Sequence, residues 1–227
     1  MKEFFNRIGI EIKNQDYFNE AFTHNSFSNE NRLSKNYQRL EFLGDAILQF
    51  KVSEFLYKKY PKSNEGTLTK YRSSIVRQVT LAHLAKSIGL GKFIRLGIGE
   101  QDAKGYEKES ILSDVFESVT AAIHLDSGND AVDKWLKATM FSDKNIDFIL
   151  ESIRDYKSEL QELIQVEMRN DLAYSTIEQQ KLPDNRTIFK VQCTLDGMIY
   201  GIGEGFSKKQ AEQEAAKSAL SKIKKTI

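Results

Sequence analysis

The sequence predicts a mainly α protein in two parts. An all-helical first domain, residues 1–154, precedes a small α+β module of order α-β-β-β-α, residues 155–227. Three observations predict this. The 227 residues, 40% of them apolar, suffice for one large or two small cores. Apolar residues recur at helical spacing up to about Arg154. Beyond it the pattern changes: in Thr187–Leu195, Phe189, Val191, Cys193 and Leu195 alternate with Ile188, Lys190, Gln192 and Thr194, as in a strand with one buried face.

Taken in order, helices are expected over 2–8, 15–23, 37–60, 66–88, 108–126, 129–139 and 144–155. Pro61 ends the long third helix, because proline cannot donate the backbone bond and disfavours helix just before it. Gly89 to Gly105 holds five glycines, at 89, 91, 97, 99 and 105, and reads as a loop. In the second part Lys157 to Arg169 is helical, with Leu160, Leu163 and Ile164 on its apolar face. Tyr174 to Gln180 reads as a strand. Asp196-Gly197 supplies a hairpin turn that leads into Met198 to Glu204. A last helix runs from Lys208 to about Lys224, with Ser207 as N-cap and Gln210 completing an S-x-x-Q capping box.

Composition narrows the setting. A single cysteine, Cys193, excludes an intramolecular disulfide framework and suits a reducing compartment. It alternates with core residues and reads as packing. No apolar run is long enough to span a membrane, and the N-terminus lacks a signal-peptide core, so a soluble cytoplasmic protein is expected. Net charge is +1, so overall basicity offers no argument for nucleic acid. Charge is uneven, however: Ser207 to Ile227 carries six lysines against two glutamates. His24, His83 and His124 show no metal-ligand spacing, and His24 reads as a cap or packing residue.

Acids stand in unusual places. In YQRLEFLGDAILQFKVSEFL, Tyr37 to Leu56, Glu41 and Asp45 lie one turn apart on a helix that reads as apolar almost all round and hence buried. In ESILSDVFESVTAAIHLDSG, Asp114 and Glu117 repeat the pattern among Ile111, Leu112, Val115, Phe116 and Val119. Each pair alone is equally compatible with a helix end or an internal ion pair. If the two helices pack together, four carboxylates converge and cannot all ionise without a counter-charge. Hard divalent cations with oxygen ligands, Mg²⁺ above all, answer that need. They suit phosphodiester cleavage.

The stretch QRLEFLGDAIL resembles the signature segment of ribonuclease III, and SILSDVFESV resembles the second acidic segment of that family. THNSF at Thr23 to Phe27 and EGTLTKYRSSIV at Glu65 to Val76 match further family segments in the same order. The resemblance implies that Glu41, Asp45, Asp114 and Glu117 are metal-binding and catalytic acids. Asp45 and Glu117 are implied to be the most critical for chemistry, with Mg²⁺ as cofactor and Mn²⁺ able to substitute. It further implies that Phe42 plugs into a partner subunit, making a homodimer. Glu65 and Glu100 match acidic family positions and are accessory candidates. Gln38 departs from the pattern: many relatives carry Glu there, so any role of position 38 as a base or anionic ligand is in doubt.

The C-terminal module resembles a double-stranded RNA-binding domain. Ser158, Gln161, Glu162 and Gln165 match its first contact helix, and Asn185, in LPDNR, stands where many relatives have His. Lys208 and Lys209 match lysines that contact phosphates. In the first turn they oppose the helix dipole, so helix stability does not explain them, whereas a phosphate would. The implied function is a Mg²⁺-dependent endoribonuclease that cuts double-stranded RNA by two-metal hydrolysis. The implied products have 5′-phosphate and 3′-hydroxyl ends with short 3′ overhangs, and the implied role is in processing rRNA precursors and some mRNAs. The alternatives are a non-catalytic dsRNA-binding regulator, for which Gln38 is the only foothold, and a helical scaffold protein with an acidic core ion pair.

Overall fold

A computed structural model describes residues 1–142, 145–146, 149, 154–167, 171–182 and 184–226, without the side chains of 165–167 and 224–226. The chain divides into two compact units, Met1–Ile153 and Arg154–Ile227.

The first unit is helical: α1 (Lys2–Arg7), α2 (Gln15–Ala21), α3 (Asn25–Glu30), α4 (Gln38–Lys59), α5 (Glu65–Ile75), α6 (Gln78–Ser87), α7 (Ile98–Asp102) and α8 (Glu109–Thr139). Short 3₁₀ turns at Leu90–Phe93 and Gly105–Glu107 flank α7. The expected 66–88 helix is two helices, because Val76 closes α5 and Arg77 is extended at the entry to α6. The glycine-rich stretch is more ordered than a plain loop. Arg95 N–H donates to the Phe22 carbonyl at 2.8 Å, and the Glu30 carboxylate accepts from Ile98 N–H at 3.0 Å at the start of α7. α8 is broken at Gly128, whose φ of 77° lies in the left-handed region, so two helical stretches meet where 108–126 and 129–139 were expected. Most of the helix expected over 144–155 lies outside the described residues.

The core centres on Trp135, packed with Phe5 and Phe116 and donating its indole N–H to Thr120 Oγ1 at 3.0 Å. α4 and α8 pack closely on one another. Gly44 permits the approach: a Cβ built there would stand 1.9 Å from the Glu117 carbonyl oxygen. α4 itself is not buried all round. Leu40, Leu48, Val52 and Leu56 face the core, while Phe42, Phe50 and Tyr57 are 81%, 64% and 74% exposed. Apolar composition alone did not reveal that this helix has an outer face.

The second unit has α9 (Tyr156–Glu167), β1 (Leu172–Lys181), β2 (Thr187–Leu195), β3 (Met198–Gly205) and α10 (Lys208–Thr226). The three strands form an antiparallel sheet in the order β1-β2-β3. The hairpin turns at Asp196 (φ 47°) and Gly197 (φ 78°), two positive φ values of the kind that fit a twisted ribbon. Leu160, Ile164, Val191, Cys193 and Leu195 are buried together with Ala211, Ala215 and Ala219 of α10. Gly201 and Gly203 let α10 lie against β3, since a Cβ at either would meet α10 backbone within 2.2 Å.

Candidate metal centre and RNA interface

α4 and α8 bring the predicted acids together. Glu41, Asp114 and Glu117 each offer a carboxylate oxygen such that all three lie within 4.8 Å of one another. The three are half-buried. Glu41 and Asp45 flank Gly44 along α4, so the close approach that Gly44 allows also delivers them beside Glu117. Asp45 is exposed and outside this group of three, and it accepts from Gln49 Nε2 at 3.4 Å.

The electrostatics follow from crowding of like charge. Burial pushes the Glu117 carboxyl up to about 8, and Asp45, Asp114 and Glu41 push it the same way. Glu41 is raised by burial, then by Asp114 and Asp45. Asp114 is raised by burial and partly relieved by a hydrogen bond from Tyr37. Asp45 thus acts on Glu117 and Glu41 through its field although its oxygens stand apart. An all-oxygen donor set that resists full ionisation fits a hard divalent cation, which supplies the missing positive charge.

The surroundings hold Tyr37, which the sequence reading did not single out, and His24, which it read as a cap or packing residue. Tyr37, buried, donates its phenol O–H to Asp114 Oδ2 at 3.0 Å. His24 is the N-cap of α3, its Nδ1 accepting from Ser26 N–H at 3.2 Å, which agrees with its reading as a cap. Its ring lies 5.6 Å from that of Tyr37, and burial lowers its pKa. No local pattern signals the Tyr37–Asp114 bond, because its partners are 77 residues apart.

The accessory candidates stand outside the group of three. Gln38 is exposed, and its N–H donates to Asn36 Oδ1 at 3.1 Å. Glu100 pairs with Lys108 Nζ at 2.6 Å, which holds its carboxyl below the usual range. Glu65, exposed at the start of α5, accepts from Thr69 Oγ1 at 3.0 Å. It borders a groove of about 800 Å³ that is lined also by Phe50, Tyr57, Leu68 and Arg72. Phe42 stands outward on α4.

In the second unit Ser158, Gln161 and Glu162 are exposed on α9, while the side chain of Gln165 lies outside the described residues. Lys157 pairs with Glu212 at 2.7 Å, and Gln213 Nε2 donates to Asp155 Oδ1 at 2.9 Å, which fixes the start of α9 against the early turns of α10. Lys208 and Lys209 are exposed in the first turn of α10. The capping box forms in a variant: Ser207 Oγ accepts from Gln210 N–H at 3.2 Å, but Gln210 Oε1 reaches the N–H of Phe206 at 3.0 Å. Asn185, exposed between β1 and β2, takes a left-handed φ of 65°, which Asn tolerates better than most residues.

Comparison with known proteins points one way. A family model described as ribonuclease-III-like matches residues 14–144, and one described as double-stranded RNA binding motif matches residues 156–223. Ribonuclease 3 of Mesoplasma florum is 53% identical over 227 residues, spanning 100% of this chain and 98% of that protein. Ribonuclease 3 of Bacillus licheniformis is 42% identical over 226 residues, spanning 99% and 90%. A solved nuclease domain of ribonuclease III from Campylobacter jejuni, described for structural flexibility in a region involved in dimer formation, superposes with a TM-score of 0.56. It is 39% identical and covers 60% of this chain and 93% of that one.

Proposed function

The chain belongs to the ribonuclease III family and is an endoribonuclease of double-stranded RNA, and from that premise we propose that Glu41, Asp45, Asp114 and Glu117 form its Mg²⁺ centre. The observation that carries this reading is the convergence of three carboxylates within 4.8 Å, with the charge of Asp45 felt beside them. Glu41, Asp114 and Glu117 would hold the ion. When bound, such an ion activates water and takes up charge on phosphate oxygens. Asp45 and Glu117 are the acids on which the chemistry depends most. Asp45 is open to solvent, where it can orient a water or a sugar hydroxyl. Glu117, raised first by burial and then by Asp45, Asp114 and Glu41, would give up its proton to take a cation. The products are 5′-phosphate and 3′-hydroxyl ends with short 3′ overhangs, and the substrates are rRNA precursors and some mRNAs.

Residues 1–154 serve as the catalytic domain and residues 155–227 as the RNA-binding domain. Ser158, Gln161, Glu162 and Gln165 meet one minor groove and Asn185 the next, while Lys208 and Lys209 contact phosphates between them. The N-terminus of α10 supports the lysine assignment, because free N–H groups and the helix dipole favour an anion there. The enzyme works as a homodimer through the outer face of α4, where Phe42 stands proud, and each subunit cuts one strand. Among the described residues no helix is long and apolar enough to cross a membrane. The one cysteine, Cys193, is buried and free, which suits a cytoplasmic setting.

The test is cleavage of a long RNA duplex with Mg²⁺ and with chelator, in the wild type and Glu117→Gln. Cleavage is expected only with Mg²⁺. The variant should lose at least about 100-fold in rate, since a direct ligand outweighs the 10–100-fold carried by its supporting partners. Its duplex binding should be unchanged. Equal loss of binding would overturn the division of roles.

A further inference from the structure

Tyr37 links the acid cluster to the chain that frames it. It is 4% exposed, and its phenol donates to Asp114 Oδ2 at 3.0 Å. Its backbone is held on both sides: the N–H donates to the Thr23 carbonyl at 2.9 Å, and the carbonyl accepts from Glu41 N–H at 2.8 Å. One residue thus touches two of the three clustered acids, Glu41 by main chain and Asp114 by side chain. Behind it lies His24, fixed as the cap of α3, with ring centroids 5.6 Å apart. Burial, the ring of His24 and the held main chain keep the phenol against the carboxylate to which it donates.

An ionised aspartate offers two oxygens with about four lone-pair sites, and its terminal torsion is broad. A donor on one oxygen restricts that torsion and leaves the other oxygen for a cation. A buried phenol needs some acceptor, but a nearby carbonyl would satisfy it. Here the acceptor is a cluster acid. The donor is also dependable, because a tyrosine phenol with its ordinary pKa of about 10 keeps its proton near neutral pH.

We propose that Tyr37 is a positioning residue for the metal centre, holding the Asp114 carboxylate so that Glu41, Asp114 and Glu117 present a preset group of oxygens to a divalent cation. This rests on the reading of those acids as a metal centre. Partners that orient metal ligands carry about 10–100-fold in affinity or activity, and Tyr37 is the neutral donor in that place.

The experiment is Mn²⁺ binding to the RNA-free protein, followed by the electron paramagnetic resonance signal of free Mn²⁺. It compares wild type, Tyr37→Phe, Asp114→Asn, the Tyr37→Phe/Asp114→Asn double variant and Glu117→Gln. Tyr37→Phe should bind Mn²⁺ about 10–100-fold more weakly. Its kcat should fall at low Mg²⁺ and recover at high Mg²⁺, with KM for duplex unchanged. In the Asp114→Asn background Tyr37→Phe should add nothing. Wild-type metal response in Tyr37→Phe, or an equal loss with and without the Asp114 carboxylate, overturns the role. If Asp114→Asn and Glu117→Gln both bind Mn²⁺ like wild type, the metal-centre reading fails, and the proposal with it. Should Tyr37→Phe fold poorly, 3-fluorotyrosine placed at position 37 alone gives an independent readout. Its ¹⁹F resonance should move with Mg²⁺ at the midpoint of metal binding, and an unmoved resonance overturns the proposal.

Discussion

Glu117 concentrates the electrostatic cost of the site. With its carboxyl pushed up to about 8, first by burial and then by Asp45, Asp114 and Glu41, the metal-free native state holds a proton that the unfolded chain releases near the usual carboxylate pKa. Between those values the native state binds more protons, so stability falls as pH rises through the window. Glu41 and Asp114, raised as well, act with the same sign. The melting temperature in chelator is therefore expected to drop from about pH 5 to about pH 8. Mg²⁺ should oppose that drop, and Glu117→Gln should flatten it. A chelated wild-type protein whose melting temperature holds level over this range would contradict the crowding of these acids. The acids themselves were legible in sequence because charge on an apolar helix is anomalous. Tyr37 was not, because an aromatic residue at the start of an apolar helix looks like ordinary core.

At the scale of elements, two junctions decide the site and the interface. The first is α4 on α8 at Gly44, where a Cβ would meet the Glu117 carbonyl oxygen at 1.9 Å. Since that atom is backbone, one helix must shift. Gly44→Ala should destabilise the domain by about 1–3 kcal/mol, the usual cost of overpacking. It should lower cleavage further than its unfolded fraction explains, because the shift separates Glu41 from Glu117. Thermal melts alongside single-turnover cleavage check this. The second junction is the start of α10. Lys208→Ala with Lys209→Ala should weaken duplex binding and reduce the slope of log affinity against log salt by roughly 1–2, about one for each phosphate left without its lysine. An unchanged slope in a binding titration would contradict the pairing of these lysines with phosphates. Helices and strands were mostly readable from their periods of 3.6 and 2. The break between α5 and α6 was not, because neither Val76 nor Arg77 is a helix breaker. α3 escaped because Asn25–Glu30 is short and polar, held by the His24 cap and by contacts from the distant Arg95–Ile98 stretch.

At the scale of the whole molecule, the outer face of α4 is the feature that a single chain leaves unexplained. Phe42 is 81% exposed, with Phe50 and Tyr57 exposed further along the same helix, and large aromatics so placed mark contact surfaces. A homodimer is expected by sedimentation at micromolar concentration. Phe42→Ala should raise its dissociation constant roughly 30-fold, the effect of losing an aromatic anchor worth about 2 kcal/mol. A wild type that sediments as a monomer, or a variant that dimerises as well as wild type, would contradict this use of α4. The two-part organisation was legible from the change of hydrophobic period near residue 154.

By itself the sequence determined the two-part order of elements and marked the four acids as out of place, because hydrophobic period, turn chemistry and misplaced charge are local properties of the chain, while the family was legible through the resemblance of segments such as QRLEFLGDAIL and SILSDVFESV. Tertiary structure decided which of those acids share a cation-sized space. It placed Glu41, Asp114 and Glu117 together and left Asp45 acting through its field. It also turned one side of α4 outward and set Tyr37 against Asp114. These outcomes depend on how closely two helices approach at Gly44 and on contacts between residues scores of positions apart, which no local pattern encodes.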